Sequence, residues 1–290
     1  MKFIKYNTKE EFLEDNLEIL LKEEAKNEIM IGIVREHDSE KVNKWLLGRI
    51  EEKDEIKSIF IVDDDKNGLL FYSLEENLSE QVADFLVDNL IELNINLKEV
   101  LTSKKNAKMI AEIYSKKTNT ALEESEFKYI FKFDKFNEEH ILKNGEKLEK
   151  IDDLKDIELV KNNVREMYED TFGGKECSDI EATRVAEAFI RKGLYVLKNE
   201  NNEIVSQAVT VRKQINGCAI GGVITLKAHR GYGYAKRCVY ALCEKLLKEG
   251  YEFIVLHVNP SNNAAISVYS KIGFEQIDET EKIKFLSLEK

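Results

Sequence analysis

Proline is almost absent: Pro260 is the only one in 290 residues. Collagen-like and proline-rich architectures are thereby excluded, and element boundaries must be read from hydropathy pattern and from glycine or asparagine turns. Cysteine is sparse as well. Cys177, Cys218, Cys238 and Cys243 show neither CxxC nor zinc spacing, so reduced thiols are expected rather than a disulfide framework or a metal site. Long apolar runs are missing too. Ile29–Ile33 and Phe253–Leu256 fall far short of the ~20 residues a membrane helix needs. Met1–Glu10 lacks the apolar core of a signal peptide, which predicts a cytoplasmic chain without membrane attachment. Positive charge is not in excess either: 55 Asp and Glu face 44 Lys and Arg, a formal charge of −11. That balance argues against the nucleic-acid backbone as a partner.

What remains is a soluble, core-forming chain, 43% hydrophobic and 34% charged, long enough for two domains of roughly 140 residues each. The first 35 residues read as mainly helical, with Phe12, Leu13, Leu17, Leu20 and Leu21 at helical spacing. Val42, Trp45, Leu46, Leu47 and Ile50 suggest a further helix. Strands follow at 58–63 and 69–73, a helix at 79–93, a strand at 99–102, a helix at 106–118 and a strand at 128–133. The polar stretch 137–145 marks a boundary, giving domains 1–137 and 145–290. The second half reads β-α-α-β-β-β-α-β-α-β-β, its last strand at 274–281 with a partner at 283–286. Both halves are α/β with mixed sheets.

The sharpest feature of the second half is an apolar strand, Cys218–Leu226, entering a glycine-bearing loop that opens directly onto an amphipathic helix. The loop reads Arg230-Gly231-Tyr232-Gly233-Tyr234-Ala235. Glycines let backbone N–H groups approach a ligand, and the helix N-terminus adds unpaired donors and a dipole favourable to anions. Phosphate or pyrophosphate is the expected guest. No Lys-Ser/Thr follows, so this is not a Walker A loop, and the third glycine of the dinucleotide fingerprint is missing.

The stretch Arg230-x-x-Gly233-x-Ala235 resembles the acyl-CoA-binding motif of the GNAT N-acyltransferase superfamily. A second block stands at the matching distance: a strand at 254–258, then Asn262-x-x-Ala265-x-x-x-Tyr269, then Gly273-Phe274. The resemblance covers roughly Gly145 to the C-terminus and implies a GNAT fold there. It also implies a bulge in the strand before the loop, and a V-shaped cleft where that strand splays from its neighbour. Val223, Ile224 and Thr225 would hold the pantetheine arm of acetyl-CoA and polarise its carbonyl. Arg230, Gly231, Tyr232, Gly233, Tyr234 and Ala235 would cradle the pyrophosphate. Asn262 would contact the arm, and Tyr269 would protonate the departing thiolate. No metal is required.

Each of these residues has an alternative. Tyr269 is otherwise a helix-face packing residue. His257, on the strand beside the cleft, is either the base for the incoming amine or a hydrogen-bonded core histidine. The strand leading into the loop has no carboxylate to act as base. Glu166, Glu169 and Asp170 are candidates for the acceptor side, with Phe172 beside them, or else a solvated helix end. The first half has no counterpart of the glycine loop: Leu74–Ser79 is acidic and glycine-free. It is similar in element order to the degenerate N-terminal half of two-domain GNAT proteins, and is expected to be non-catalytic. The expected activity is N-acetyl transfer from acetyl-CoA to a primary amine on a small molecule or peptide. The alternative is an acyl-CoA-binding or sensing module without turnover.

Overall fold

The computed structural model describes residues 1–64, 67–123, 125–137, 142–171 and 176–286. The chain divides into two compact units, Met1–Ile130 together with the strand residues from Ile277 onward, and Phe131–Gln276. These differ from the expected ranges 1–137 and 145–290. The chain leaves the first unit within a strand rather than in the polar stretch, and its last strand returns to that unit.

The first unit contains β1 (Lys2–Tyr6), α1 (Lys9–Leu21), α2 (Glu28–Glu36), α3 (Ser39–Val42), β2 (Leu46–Glu52), β3 (Glu55–Val62) and β4 (Gly68–Ser73). It continues with α4 (Glu80–Glu92), β5 (Glu99–Ser103), α5 (Lys104–Thr118), β6 (Ala121–Leu122) and the start of β7 (Glu126–Phe133). Strands β1 to β5 are neighbours in chain order, antiparallel except for the parallel β4–β5 pair. Two sequence expectations fail here. Residues 2–6 form a strand on β2, and the apolar run after Val42 is β2 rather than a helix. The reason is burial on both faces. Leu47, Ile59 and Ile61 pack in one core with α1 and α2, whereas Leu46, Ile50, Phe60 and Val62 pack in the other with α4 and α5. A strand covered on both sides loses polar alternation, and a short apolar run then mimics a helix.

The second unit contains β8 (Lys147–Ile151), α6 (Ile157–Thr171), α7 (Asp179–Lys192), β9 (Leu194–Lys198), β10 (Ile204–Lys213) and β11 (Gly217–Thr225). Then come α8 (Tyr234–Lys248), β12 (Phe253–Val258), α9 (Asn263–Ile272) and the start of β13 (Glu275–Leu286). The sheet order is β8-β9-β10-β11-β12, antiparallel until the parallel β11–β12 pair. Val160 and Val164 of α6 and Ala182, Ala186 and Ile190 of α7 pack on Val196 and Val209. β13 is one continuous strand, not the expected hairpin. Residues 280–284 pair antiparallel with β5 in the first unit, and no glycine, proline or asparagine interrupts 275–286 to make a turn.

Candidate functional site

The site is built on β11, β12 and the loop into α8. β11 and β12 pair only from Gly217–Phe253 to Ala219–Val255. Beyond Ala219 and Val255 the parallel ladder stops, and the two strands part for the rest of their length. Across β11, Gln207 faces Ile224 and Val209 faces Gly221, so Gly222 and Val223 together oppose Ala208. That two-against-one register is a β-bulge. It turns on Gly222, whose φ of +57° only glycine adopts readily. An added Cβ there would lie 3.0 Å from both Phe189 and Val209. The expected bulge and splay are therefore both present.

Three side chains bond the carbonyls of the bulged strand, and a fourth supports one of them. Ser206 Oγ donates to the Ile224 carbonyl at 2.8 Å. Gln207 Nε2 donates to the Gly222 carbonyl at 3.4 Å, and Asn163 Nδ2 on α6 donates to Gln207 Oε1 at 2.8 Å. Arg230 Nε takes the Thr225 carbonyl at 3.0 Å, so this carbonyl is already satisfied within the protein.

The loop departs from β11 through a short 3-10 turn at Lys227–His229 and enters α8 at Gly233, where φ is +75°. Gly233 is the helix N-cap and has no side chain to satisfy the first amides. Among the described residues, no hydrogen bond engages the backbone amides of 231–236. Six consecutive unpaired N–H groups on an exposed loop at a helix N-terminus form an anion nest. Gly231, with φ +86° and nothing within 4 Å of a Cβ, leaves the approach open. The counterpart in the first unit is closed: Ser79 caps α4 by accepting from the Val82 amide. Glu75 and Glu76 precede it.

Arg237 shapes this nest, and the sequence reading missed it. Its guanidinium makes a two-pronged ion pair with Glu146, both contacts 2.8 Å, while Nη1 donates to the Tyr232 carbonyl at 3.0 Å. The guanidinium also lies 4.7 Å from the Tyr234 ring centroid. The Glu146 side chain is only 4% exposed. Burial pushes its carboxyl up, but the Arg237 guanidinium and the Lys143 amide outweigh that and hold it below its ordinary value.

Tyr269 sits on α9 with 7% exposure and its ring 5.7 Å from that of Phe274. Its hydroxyl has no hydrogen-bond partner among the described residues, yet it is absent from the polar atoms sealed away without one. Burial raises its pKa well above the ordinary phenol value, with the buried thiols of Cys243 and Cys238 adding to the effect. The phenol is therefore protonated at neutral pH. His257 lies on β12 two residues past the last paired position, where the strands have parted, and is half-buried. Asn262 caps α9 by accepting from the Ala265 amide at 3.0 Å. Its oxygen is committed to the helix, which leaves the side-chain amide nitrogen as its donor.

The acceptor-side candidates have mixed outcomes. Glu166 accepts from the Lys227 amide at 2.8 Å, Glu169 pairs with the Lys227 ammonium, and Asp170 with Arg230 at 2.5 Å. The end of α6 is thus tied to the loop, and Arg230 offers its charge first to Asp170. Phe172 lies outside the described residues. No group of three or more metal-ligating side chains occurs among the described residues. All four cysteines are free thiols. No described helix is long and apolar enough to cross a membrane.

Comparison with known proteins agrees with this geometry. Residues 193–283, from the start of β9 into β13, match the family model of FR47-like protein. Among solved structures, a GNAT-family acetyltransferase from Colwellia psychrerythraea superposes with a TM-score of 0.54 at 15% identity, covering 99% of this chain and 100% of its own. A GCN5-related N-acetyltransferase from Sphaerobacter thermophilus gives 0.56 at 13% identity over 87% and 84% of the two chains. A Drosophila protein gives 0.59 at 11% identity over 85% and 80%. No curated protein matches the sequence. The chain has the GNAT fold. Within it, the segment that carries the bulge, the amide nest and Tyr269 is the one that bears the FR47-like pattern.

Proposed function

We propose that the chain is an N-acyltransferase that moves acetyl from acetyl-CoA to a primary amine. The observation that carries this reading is the run of unpaired amides at 231–236, set directly after a bulged strand that has parted from its neighbour. The nest suits a diphosphate and the parted strands suit an extended arm. Val223 and Ile224 line that gap, and Gly231, Tyr232, Gly233, Tyr234 and Ala235 present their amides to the diphosphate. Arg230 supplies charge there only by giving up Asp170. The amide nitrogen of Asn262 would donate to the arm.

In the transfer, the amine nitrogen bonds to the carbonyl carbon, the carbon–sulfur bond breaks, and the thiolate takes a proton. Strand amides at the bulge offset charge on the carbonyl oxygen. His257 takes the amine's proton, directly or through water, and Tyr269 gives its hydroxyl proton to sulfur. A phenol with a raised pKa is a weak acid, but it keeps its proton across neutral pH, and a thiolate formed beside a buried phenol would also be a stronger base than in water. The three fully buried cysteines take no part: burial pushes the Cys238 thiol up to about 12 and that of Cys243 well above its ordinary value. The first unit, whose helix is already capped by Ser79, binds no donor. Amines and amine-bearing peptides screened with acetyl-CoA test the reading: steady CoA release with an acetylated product supports it. Stoichiometric binding without transfer to any amine favours the sensing module.

A further inference from the structure

We infer that Gln207 and Asn163 form a positioning pair that sets the direction of the Val223 amide, the donor for the carbonyl oxygen; this rests on the acyl-transfer reading above. A side-chain amide on a central strand is costly to bury unless it is hydrogen-bonded. Gln207 is fully buried and Asn163 is 3% exposed. A valine or leucine would fill either position at no such cost. The pair makes one directed chain of bonds, from Asn163 Nδ2 to Gln207 Oε1 and from Gln207 Nε2 to the Gly222 carbonyl. That carbonyl belongs to the bulge itself.

The consequence follows from peptide geometry. The peptide joining Gly222 to Val223 is trans, so its carbonyl and its N–H point in opposite directions. Drawing the Gly222 oxygen toward Gln207 turns the Val223 N–H away from Gln207. The left-handed backbone at Gly222 allows that rotation, and Phe189 and Val209 close the space behind it. Asn163 acts one step back: by donating to Oε1, it fixes which end of the Gln207 amide faces Gly222. Neither side chain touches the reacting atoms. Because α6 also carries Glu166, Glu169 and Asp170, the pair links the helix beside the loop to the orientation of the bulge.

The test compares Gln207→Leu, Asn163→Leu and the double leucine variant with the wild type, each labelled with 15N-valine. The single variants leave a buried amide half-satisfied and are expected to melt lower. The double variant replaces both polar groups and is expected to recover much of that stability. Positioning predicts that the double variant keeps its acetyl-CoA affinity within about threefold while kcat stays at least tenfold down, with KM for acetyl-CoA little changed. It also predicts that acetyl-CoA shifts the Val223 amide resonance in the wild type and fails to do so in the double variant. A merely structural pair would restore kcat together with stability, and that result overturns the inference. So does an equal Val223 shift in both proteins. If the wild type binds acetyl-CoA but transfers to no amine, the transfer reading fails while the Val223 comparison still decides the positioning role.

Discussion

Replacing Gly233 by glutamate places one side chain where the structure leaves six amides open. The backbone at Gly233 has φ +75°, which costs an L side chain about 1–2 kcal/mol. A carboxylate at the N-cap of α8 recovers part of this, because it faces the helix dipole and accepts from the free amides. The protein is therefore expected to fold. The same carboxylate then occupies the diphosphate seat. Against the two charges of a diphosphate about 5 Å away, repulsion is about 0.8 kcal/mol each in water and about 3 kcal/mol each at a partly shielded surface. Affinity for acetyl-CoA should fall by at least about fifteenfold. Gly250→Glu is the matched control: its φ is +100°, no atom lies within 4 Å of an added Cβ, and the charge change is identical. Calorimetric titration with acetyl-CoA on all three proteins, after circular dichroism confirms folding, separates the cases. Unchanged affinity in folded Gly233→Glu, or an equal loss in Gly250→Glu, would refute the assignment of the loop.

The other expectations are briefer. Tyr269→Phe should lower kcat at least tenfold and leave acetyl-CoA affinity and melting temperature nearly unchanged, since the hydroxyl has no hydrogen-bond partner to lose among the described residues; equal turnover in steady-state assays removes Tyr269 from the chemistry. Arg237→Met strands the Glu146 carboxylate and releases the Tyr232 carbonyl, so it should cost about 3 kcal/mol of stability in urea titration and weaken acetyl-CoA binding. The folded Glu146 carboxyl lies below its ordinary value of 4.5, so its stabilisation is full above that pH and is lost as pH falls through the lowered value. The stability gap between wild type and Glu146→Gln should accordingly narrow in acid, and a gap independent of pH would contradict the pairing. Iodoacetamide should modify Cys177 alone in the native protein, leaving kcat intact, because Cys218, Cys238 and Cys243 are buried; mass spectrometry of the labelled peptides checks it.

Much of the second unit was legible because its signals are local. A glycine loop between an apolar strand and an amphipathic helix needs no long-range contact to be recognised, and α9 runs over Asn263–Ile272, as its capping asparagine and apolar spacing suggest. The bulge was expected from the family resemblance alone, although the Gly221-Gly222 pair inside the strand is also a sign of it. The partners that hold the site were not legible. Asn163, Gln207, Arg237 and Glu146 are ordinary polar residues in sequence, and only the fold brings Glu146 to Arg237 across 91 positions. In the first unit the hydropathy pattern itself misled at β2, which is buried on both faces and shows no alternation. The destination of β13 depends on pairing with β5, a contact between distant parts of the chain that no local pattern records.

The central claim is that this chain holds one acyl donor at the nest of 231–236. Calorimetric titration of the wild-type protein with acetyl-CoA tests it most directly. The account predicts saturable binding with one site per chain, since the first unit's helix is already capped by Ser79. A folded protein that takes up no acetyl-CoA, or takes up two equivalents, would contradict it.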